Sequence, residues 1–171
     1  MRIAEAVGGL RAAGLSTEIV SGGGTPAALG VEGMPNVSEH RAGTYVFNDK
    51  ATVEKGAATW DDCALSVLVM VVSRPAPDRA IIDGGSKTFS SDYGVPMGHV
   101  VDWPGAQVYK MNEEHGYVDV SGCAPKPVIG DRMHVIPNHV CSTVNMHDVM
   151  HGVRDDRIEV VWTIEARGKL R

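Results

Sequence analysis

From Cys63 to the C-terminus, short apolar stretches follow one another with turn residues between them and no long run of helical period. The segments expected as strands are Cys63–Ser73, Arg79–Asp83, His99–Asp102, Ala106–Met111, Gly116–Val120, Arg132–Ile136, Asp148–Val153 and Arg157–Ala166. Arg74-Pro75-Ala76-Pro77, Gly84-Gly85, Trp103-Pro104-Gly105 and Arg154-Asp155-Asp156 supply the turn chemistry between them. This pattern predicts an antiparallel β domain over residues 59–171, with Asp155-Asp156 turning a C-terminal hairpin.

The first 58 residues have a different rhythm. Met1–Gly14 spaces Ile3, Val7, Leu10 and Ala13 as a helix does, with Gly14 as its C-cap. A short strand over Thr17–Val20 then runs into Ser21-Gly22-Gly23-Gly24-Thr25-Pro26, followed by a short helix over Ala27–Val31 and a strand over Val37–Arg41. Lys50–Gly56 reads as an irregular helical turn. Two strands and two helices cannot close a parallel sheet, so residues 1–58 look like the torn edge of an α/β domain. The fold class is therefore α+β, mainly β.

Bulk properties exclude some functions. A net charge of -5 without a basic cluster argues against nucleic acid as partner. The longest apolar run, residues 64–72, is too short to span a membrane, and no apolar leader core opens the chain. Cys63, Cys123 and Cys141 are an odd, scattered set, as expected of reduced thiols in a cytoplasm.

Several motifs carry possible chemistry. Glycines at a strand-to-helix joint let backbone N–H groups approach an anion, and the helix start adds positive partial charge. Ser21–Thr25 is thus either a phosphate site or a tight turn. Tyr45 could face a planar ligand or pack a domain junction. Asp83-Gly84-Gly85-Ser86-Lys87 with Ser90, Ser91 and Asp92 could form a site rim, and Glu113-Glu114-His115 could supply acid–base groups; either set could equally be solvated surface. His139 and Cys141 sit two apart after Val135-Ile136-Pro137. If that stretch is a strand, both project to one face, as two ligands of a borderline-soft metal would. Two side chains sharing a buried sheet face would look the same.

In this order, "SGGGTP", "EHRAGTYVFND", "IIDGGSKTFSSD", "NEEHGYV" and "IGDRMHVIPNHVCSTVN" resemble the C-terminal half of the D-serine dehydratase / D-threonine aldolase family. These are pyridoxal-phosphate enzymes of alanine-racemase-like fold, a TIM-type barrel followed by a β domain. Ala42-Gly43 departs from the usual Pro-Gly. The resemblance implies that residues 1–58 are the last strands and helices of the barrel. It implies that Gly23, Gly24 and Thr25 lie at the cofactor phosphate and Tyr45 near the ring. It also implies that His139 and Cys141 hold a catalytic metal, zinc suiting the thiolate and manganese or magnesium being the alternatives.

The implied cofactor is an electron sink for a D-amino acid substrate, and the metal a Lewis acid on its β-hydroxyl. A homodimer is the implied assembly. The family's cofactor-binding lysine belongs to the N-terminal half, and no lysine precedes Lys50 here, so the chain is expected to be a C-terminal fragment, inactive alone. His-x-Cys tilts the expectation to a dehydratase of D-serine or another 3-hydroxy-D-amino acid. D-threonine aldolase and a non-catalytic metal-binding β module are the alternatives, and a racemase would need no such metal.

Overall fold

A computed structural model describes residues 2–34 and 36–169; Met1, where the expected first helix begins, and residues 170–171, which end the expected β domain, lie outside them. Helix α1 spans Arg2–Ala12, and Gly14, at φ 77°, takes the left-handed conformation that ends a helix. Strand β1 (Ser21–Gly22) pairs in parallel with β2 (Glu39–His40). The strand expected over Thr17–Val20 therefore forms later, because pairing starts only at Val20, whose carbonyl accepts from Ser38 and Glu39. The expected short helix is a 3-10 helix over Thr25–Gly33, with proline in its first turn.

This unit is an open α/β edge. Ile3, Leu10, Leu15, Ile19, Leu29 and Val31 all stand exposed on it. A one-turn 3-10 segment, Thr44–Val46, leads to helix α2 (Lys50–Glu54), which Asp49 caps through its side chain. A further 3-10 turn, Trp60–Asp62, carries a reciprocal Thr59/Asp62 capping box.

The β domain contains β3 (Val67–Ala76), β4 (Arg79–Ile82), helix α3 (Ser86–Phe89), β5 (His99–Val100), β6 (Gln107–Met111), β7 (Gly116–Asp119), β8 (Arg132–Ile136), helix α4 (Val140–Asn145), β9 (Val149–Arg154) and β10 (Arg157–Thr163). Six strands form one antiparallel sheet in the order β5-β8-β3-β4-β7-β6. A bridge between Met97 and Val108 draws its two edges together, so the sheet is nearly closed. Period-2 alternation fills the interior: Val69 and Val71 on β3 join Ile82, Phe89, Met133 and Val135 in the core, while Leu68, Met70 and Val72 face out. Each fully buried large side chain stabilises the fold by roughly 1.5–3 kcal/mol.

Two sequence expectations change here. Strand β3 continues through the expected turn at Arg74–Pro77 as far as Ala76, with a register shift between Ser73 and Ala76 that accommodates Pro75, which has no N–H to donate. More consequentially, two short helices, α3 and α4, interrupt the β domain. The Asp155-Asp156 hairpin forms as expected: both residues have positive φ, 49° and 58°, as a tight two-residue turn with primed geometry needs.

Candidate functional site

His139 and Cys141 do not lie on a strand. Strand β8 ends at Ile136, and the pair straddles the start of α4, with His139 at the N-cap and Cys141 in the first turn. The expectation of two side chains on one sheet face is thereby corrected. The cause is a set of bonds to distant residues. Lys50 N–H donates to the Pro137 carbonyl at 3.1 Å, and Ala51 N–H donates to that of Asn138 at 3.2 Å. The free Val140 N–H of the new helix donates to Asp49 Oδ2 at 3.1 Å.

Asn138 fixes the opposite side. Its side chain, 2% exposed, accepts from Gly98 N–H at 2.8 Å and donates to the carbonyls of Asp92 and Gly94 at 3.3 and 2.8 Å. The Thr143 hydroxyl donates to the Phe89 carbonyl at 3.0 Å, and Ser142 and Ser90 share a contact of 3.1 Å. Helix α4 is thus bolted to α2, to α3 and to the loop between α3 and β5. Residue patterns did not single out Asp49 or Asn138. The Asp-x-x-Thr spacing of a helix cap at Asp49 was the one legible signal.

His139 does not use its side chain to cap the helix. Its Nδ1 lies 3.4 Å from Asp92 Oδ2, and its ring meets the Tyr93 ring edge-on, with centroids 5.4 Å apart. Cys141 is exposed, and its Sγ lies 3.9 Å from Thr44 Oγ1. The neighbouring residue closes the circuit: Tyr45 N–H donates to Thr25 Oγ1 at 3.0 Å. Thr44-Tyr45 therefore connects the cysteine to the glycine-rich loop.

In that loop Gly23 has φ 81°, and Gly24 is the extended N-cap of the 3-10 helix. A Cβ added at Gly23 would lie 2.3 Å from His40 Nδ1, so only glycine fits against this ring. Both nitrogens of His40 are buried without a hydrogen-bond partner among the described residues. Thr25 is buried, whereas the Tyr45 side chain is 59% exposed. The Thr25 hydroxyl accepts from the Tyr45 N–H, and no donation by it occurs among the described residues.

The donor chemistry of the pair suits zinc: a thiolate, and an imidazole whose Nε2 is the nitrogen turned from Asp92. No group of three His, Cys, Asp or Glu side chains able to hold a metal occurs among the described residues. Two ligands would be one fewer than the three protein ligands usual in a catalytic zinc site and two fewer than the four of a structural one. Cys63 and Cys123 stand apart from the pair. The Cys63 thiol donates to the Thr59 carbonyl at 3.6 Å, and Cys123 lies in the β core.

Glu113 and Glu114, read from the sequence as acid–base groups or as solvated surface, belong to a surface ion-pair set. Lys87 Nζ lies 2.9 Å from Glu113 and 2.7 Å from Glu114, which raises the lysine's pKa and holds Glu114 below its ordinary value. The set ties α3 to the hairpin between β6 and β7. No helix of the described residues is long and apolar enough to cross a membrane.

Residues 64–153 match the putative serine dehydratase domain. The chain is 37% identical over 164 residues to D-threonine aldolase of Arthrobacter sp, covering 93% of this chain and 42% of that protein. A crystal structure of D-threonine aldolase from Filomicrobium marinum superposes with a TM-score of 0.80 at 30% identity, over 99% of this chain and 47% of the other. A cysteine-to-alanine mutant of D-threo-3-hydroxyaspartate dehydratase in the metal-free form superposes with a TM-score of 0.76 at 31% identity, over 94% of this chain and 48% of the other. The chain spans less than half the length of these relatives. With its mainly β architecture and these matches, the chain belongs to the D-serine dehydratase / D-threonine aldolase family.

Proposed function

We propose that this chain carries the metal site and part of the cofactor-phosphate site of a pyridoxal-phosphate-dependent lyase acting on D-3-hydroxy amino acids. The observation that carries the reading is the link from Cys141 through Thr44-Tyr45 to Thr25. It brings Cys141 within two residues' reach of the end of the glycine loop, which supports reading the two as parts of one site. Gly23, Gly24 and Thr25 would hold the phosphate, Tyr45 would border the ring, and His139 with Cys141 would hold the metal, zinc by its ligand chemistry. Bound there, the cofactor supplies an electron sink for charge developing at the substrate Cα.

Cys141 favours dehydration over retro-aldol cleavage. That a cysteine-to-alanine mutant of the related hydroxyaspartate dehydratase has a metal-free form supports a cysteine ligand in a dehydratase of this family. The exposed apolar edge around Ile3, Leu10, Ile19 and Leu29 is the surface that further barrel strands would cover. Residues 1–58 would then be barrel and residues 59–171 the β domain. The complete enzyme would work as a homodimer, in a compartment that keeps the free thiols of Cys63, Cys123 and Cys141 reduced.

The chain alone should not hold the cofactor covalently. Lys50 pairs with Glu54 at 2.7 Å, and Lys55 lies over the Tyr93 ring at 5.3 Å. With pyridoxal phosphate, no imine absorption band that borohydride abolishes and that maps to Lys50 or Lys55 should form. The functional test mixes the chain with the barrel half of a relative and supplies zinc. D-serine should yield pyruvate and ammonia, and Cys141→Ala should lose both the zinc and the turnover. Zinc content unchanged in Cys141→Ala would refute the site. Glycine and acetaldehyde from D-threonine, with no reaction of D-serine, would make it an aldolase.

A further inference from the structure

We propose that Asp92 is a positioning residue for His139, holding a proton on Nδ1 so that Nε2 is the nitrogen free to bind a metal. The inference rests on the reading that His139 and Cys141 hold that metal. Its own observation is the approach of Asp92 Oδ2 to His139 Nδ1 at 3.4 Å. An imidazole that ligates through one nitrogen ordinarily gives its other N–H to a carboxylate or carbonyl, which sets both tautomer and ring orientation.

The loop presenting Asp92 is built for the task. Ser90 and Tyr93, on either side, have φ of 67° and 64°, a conformation non-glycine residues adopt only when their surroundings impose it. Here the surroundings are identifiable. Asp92 N–H donates to Ser90 Oγ at 3.2 Å, and Asn138 Nδ2 donates to the Asp92 and Gly94 carbonyls. Asn138 directly precedes His139, so one buried amide ties the backbone that carries Asp92 to the backbone that carries His139. The Tyr93 ring, inclined 68° to that of His139, restricts rotation on a second side. The Asp92 side chain is 52% exposed, so replacing it removes the contact without opening a cavity.

The test has a readout that needs no metal and one that does. In the metal-free chain, nitrogen-15 NMR should show His139 protonated on Nδ1, and Asp92→Ala should move the proton to Nε2. Zinc affinity, measured by competition with a chromophoric chelator, should fall about 10–100-fold in Asp92→Ala while one zinc per chain is retained. Asp92→Asn, whose amide oxygen still accepts, should lose less. An unchanged tautomer with unchanged zinc affinity in Asp92→Ala would overturn the inference and leave the metal site standing. A zinc loss as complete as in Cys141→Ala would also overturn it, because Asp92 would then itself be a ligand. Failure of the parent chain to bind zinc, or full binding by Cys141→Ala, would overturn the metal reading and this inference with it.

Discussion

Asp49 and Val140, 91 positions apart in the chain, are joined by a buried hydrogen bond of 3.1 Å from the Val140 N–H to Asp49 Oδ2. The other carboxylate oxygen takes the Thr52 N–H at 2.8 Å and the Thr52 hydroxyl at 2.6 Å. One side chain, 1% exposed, thus caps α2 within its own segment and α4 from outside.

Removing that carboxylate should loosen both helices together. Asp49→Ala is expected to cost about 2–4 kcal/mol, combining a lost cap with donors left unpaired. Chemical denaturation measures the cost, and hydrogen exchange at the Val140 amide should accelerate. Asp49→Asn should cost less because its carbonyl still accepts. A denaturation midpoint unchanged in Asp49→Ala would show that the bond contributes nothing.

The glycine loop offers an internally controlled substitution. Gly23→Ala places a Cβ 2.3 Å from His40 Nδ1 at a residue whose φ is 81°. It should destabilise the chain by about 1 kcal/mol or more and displace the His40 ring. Gly30, in the 3-10 helix that follows, has nothing within 4 Å of an added Cβ, so Gly30→Ala should be close to neutral. Equal melting temperatures for the two variants would contradict this account of the loop.

His99 stacks on Trp60 with ring centroids 4.0 Å apart and planes 16° from parallel. Burial holds its pKa below the ordinary value, and the Lys50 charge adds to the effect. The fold therefore prefers the neutral ring. Its contribution is complete above the unfolded value of about 6.5 and is lost as pH falls through the lower folded value. Between pH 7 and 5 the melting temperature should drop further in the parent chain than in His99→Phe. Parallel pH profiles would refute the assignment.

The three thiols should differ in reactivity. Burial, followed by the charges of Asp49 and Asp62, pushes the Cys63 thiol up to about 11, and burial also raises that of Cys123. Both stay protonated at pH 8, while Cys141 is exposed. Iodoacetamide at that pH should label Cys141 first, as peptide mapping would show, and bound zinc should protect it. Labelling of Cys63 ahead of Cys141 would contradict the exposure order.

Much of the β domain was legible because its signals are local. Asp155-Asp156 announces its own turn, and the apolar run through residues 67–72 announces a strand, although only its pairing decides that Val69 and Val71 face the core. The same locality made the N-terminal strands imprecise. Ser21–Gly22 is a two-residue strand that exists only because Glu39–His40 lies beside it, and Thr17–Val20 has the better strand composition.

By itself, then, the sequence determined that His139 and Cys141 are neighbours, that a glycine loop precedes a helical turn, and that a mainly β domain carries the pair. Tertiary structure decided what surrounds them. Val140-Cys141-Ser142-Thr143-Val144 has the composition of a strand, and it becomes α4 because its start is bonded by Asp49 and its Thr143 hydroxyl by the Phe89 carbonyl. Asp92 comes to His139, and Thr44 to Cys141, through the same docking. Local preferences amount to a few tenths of a kcal/mol per residue. A buried polar group left unpaired costs about 1–3 kcal/mol, so the distant partners determine the conformation.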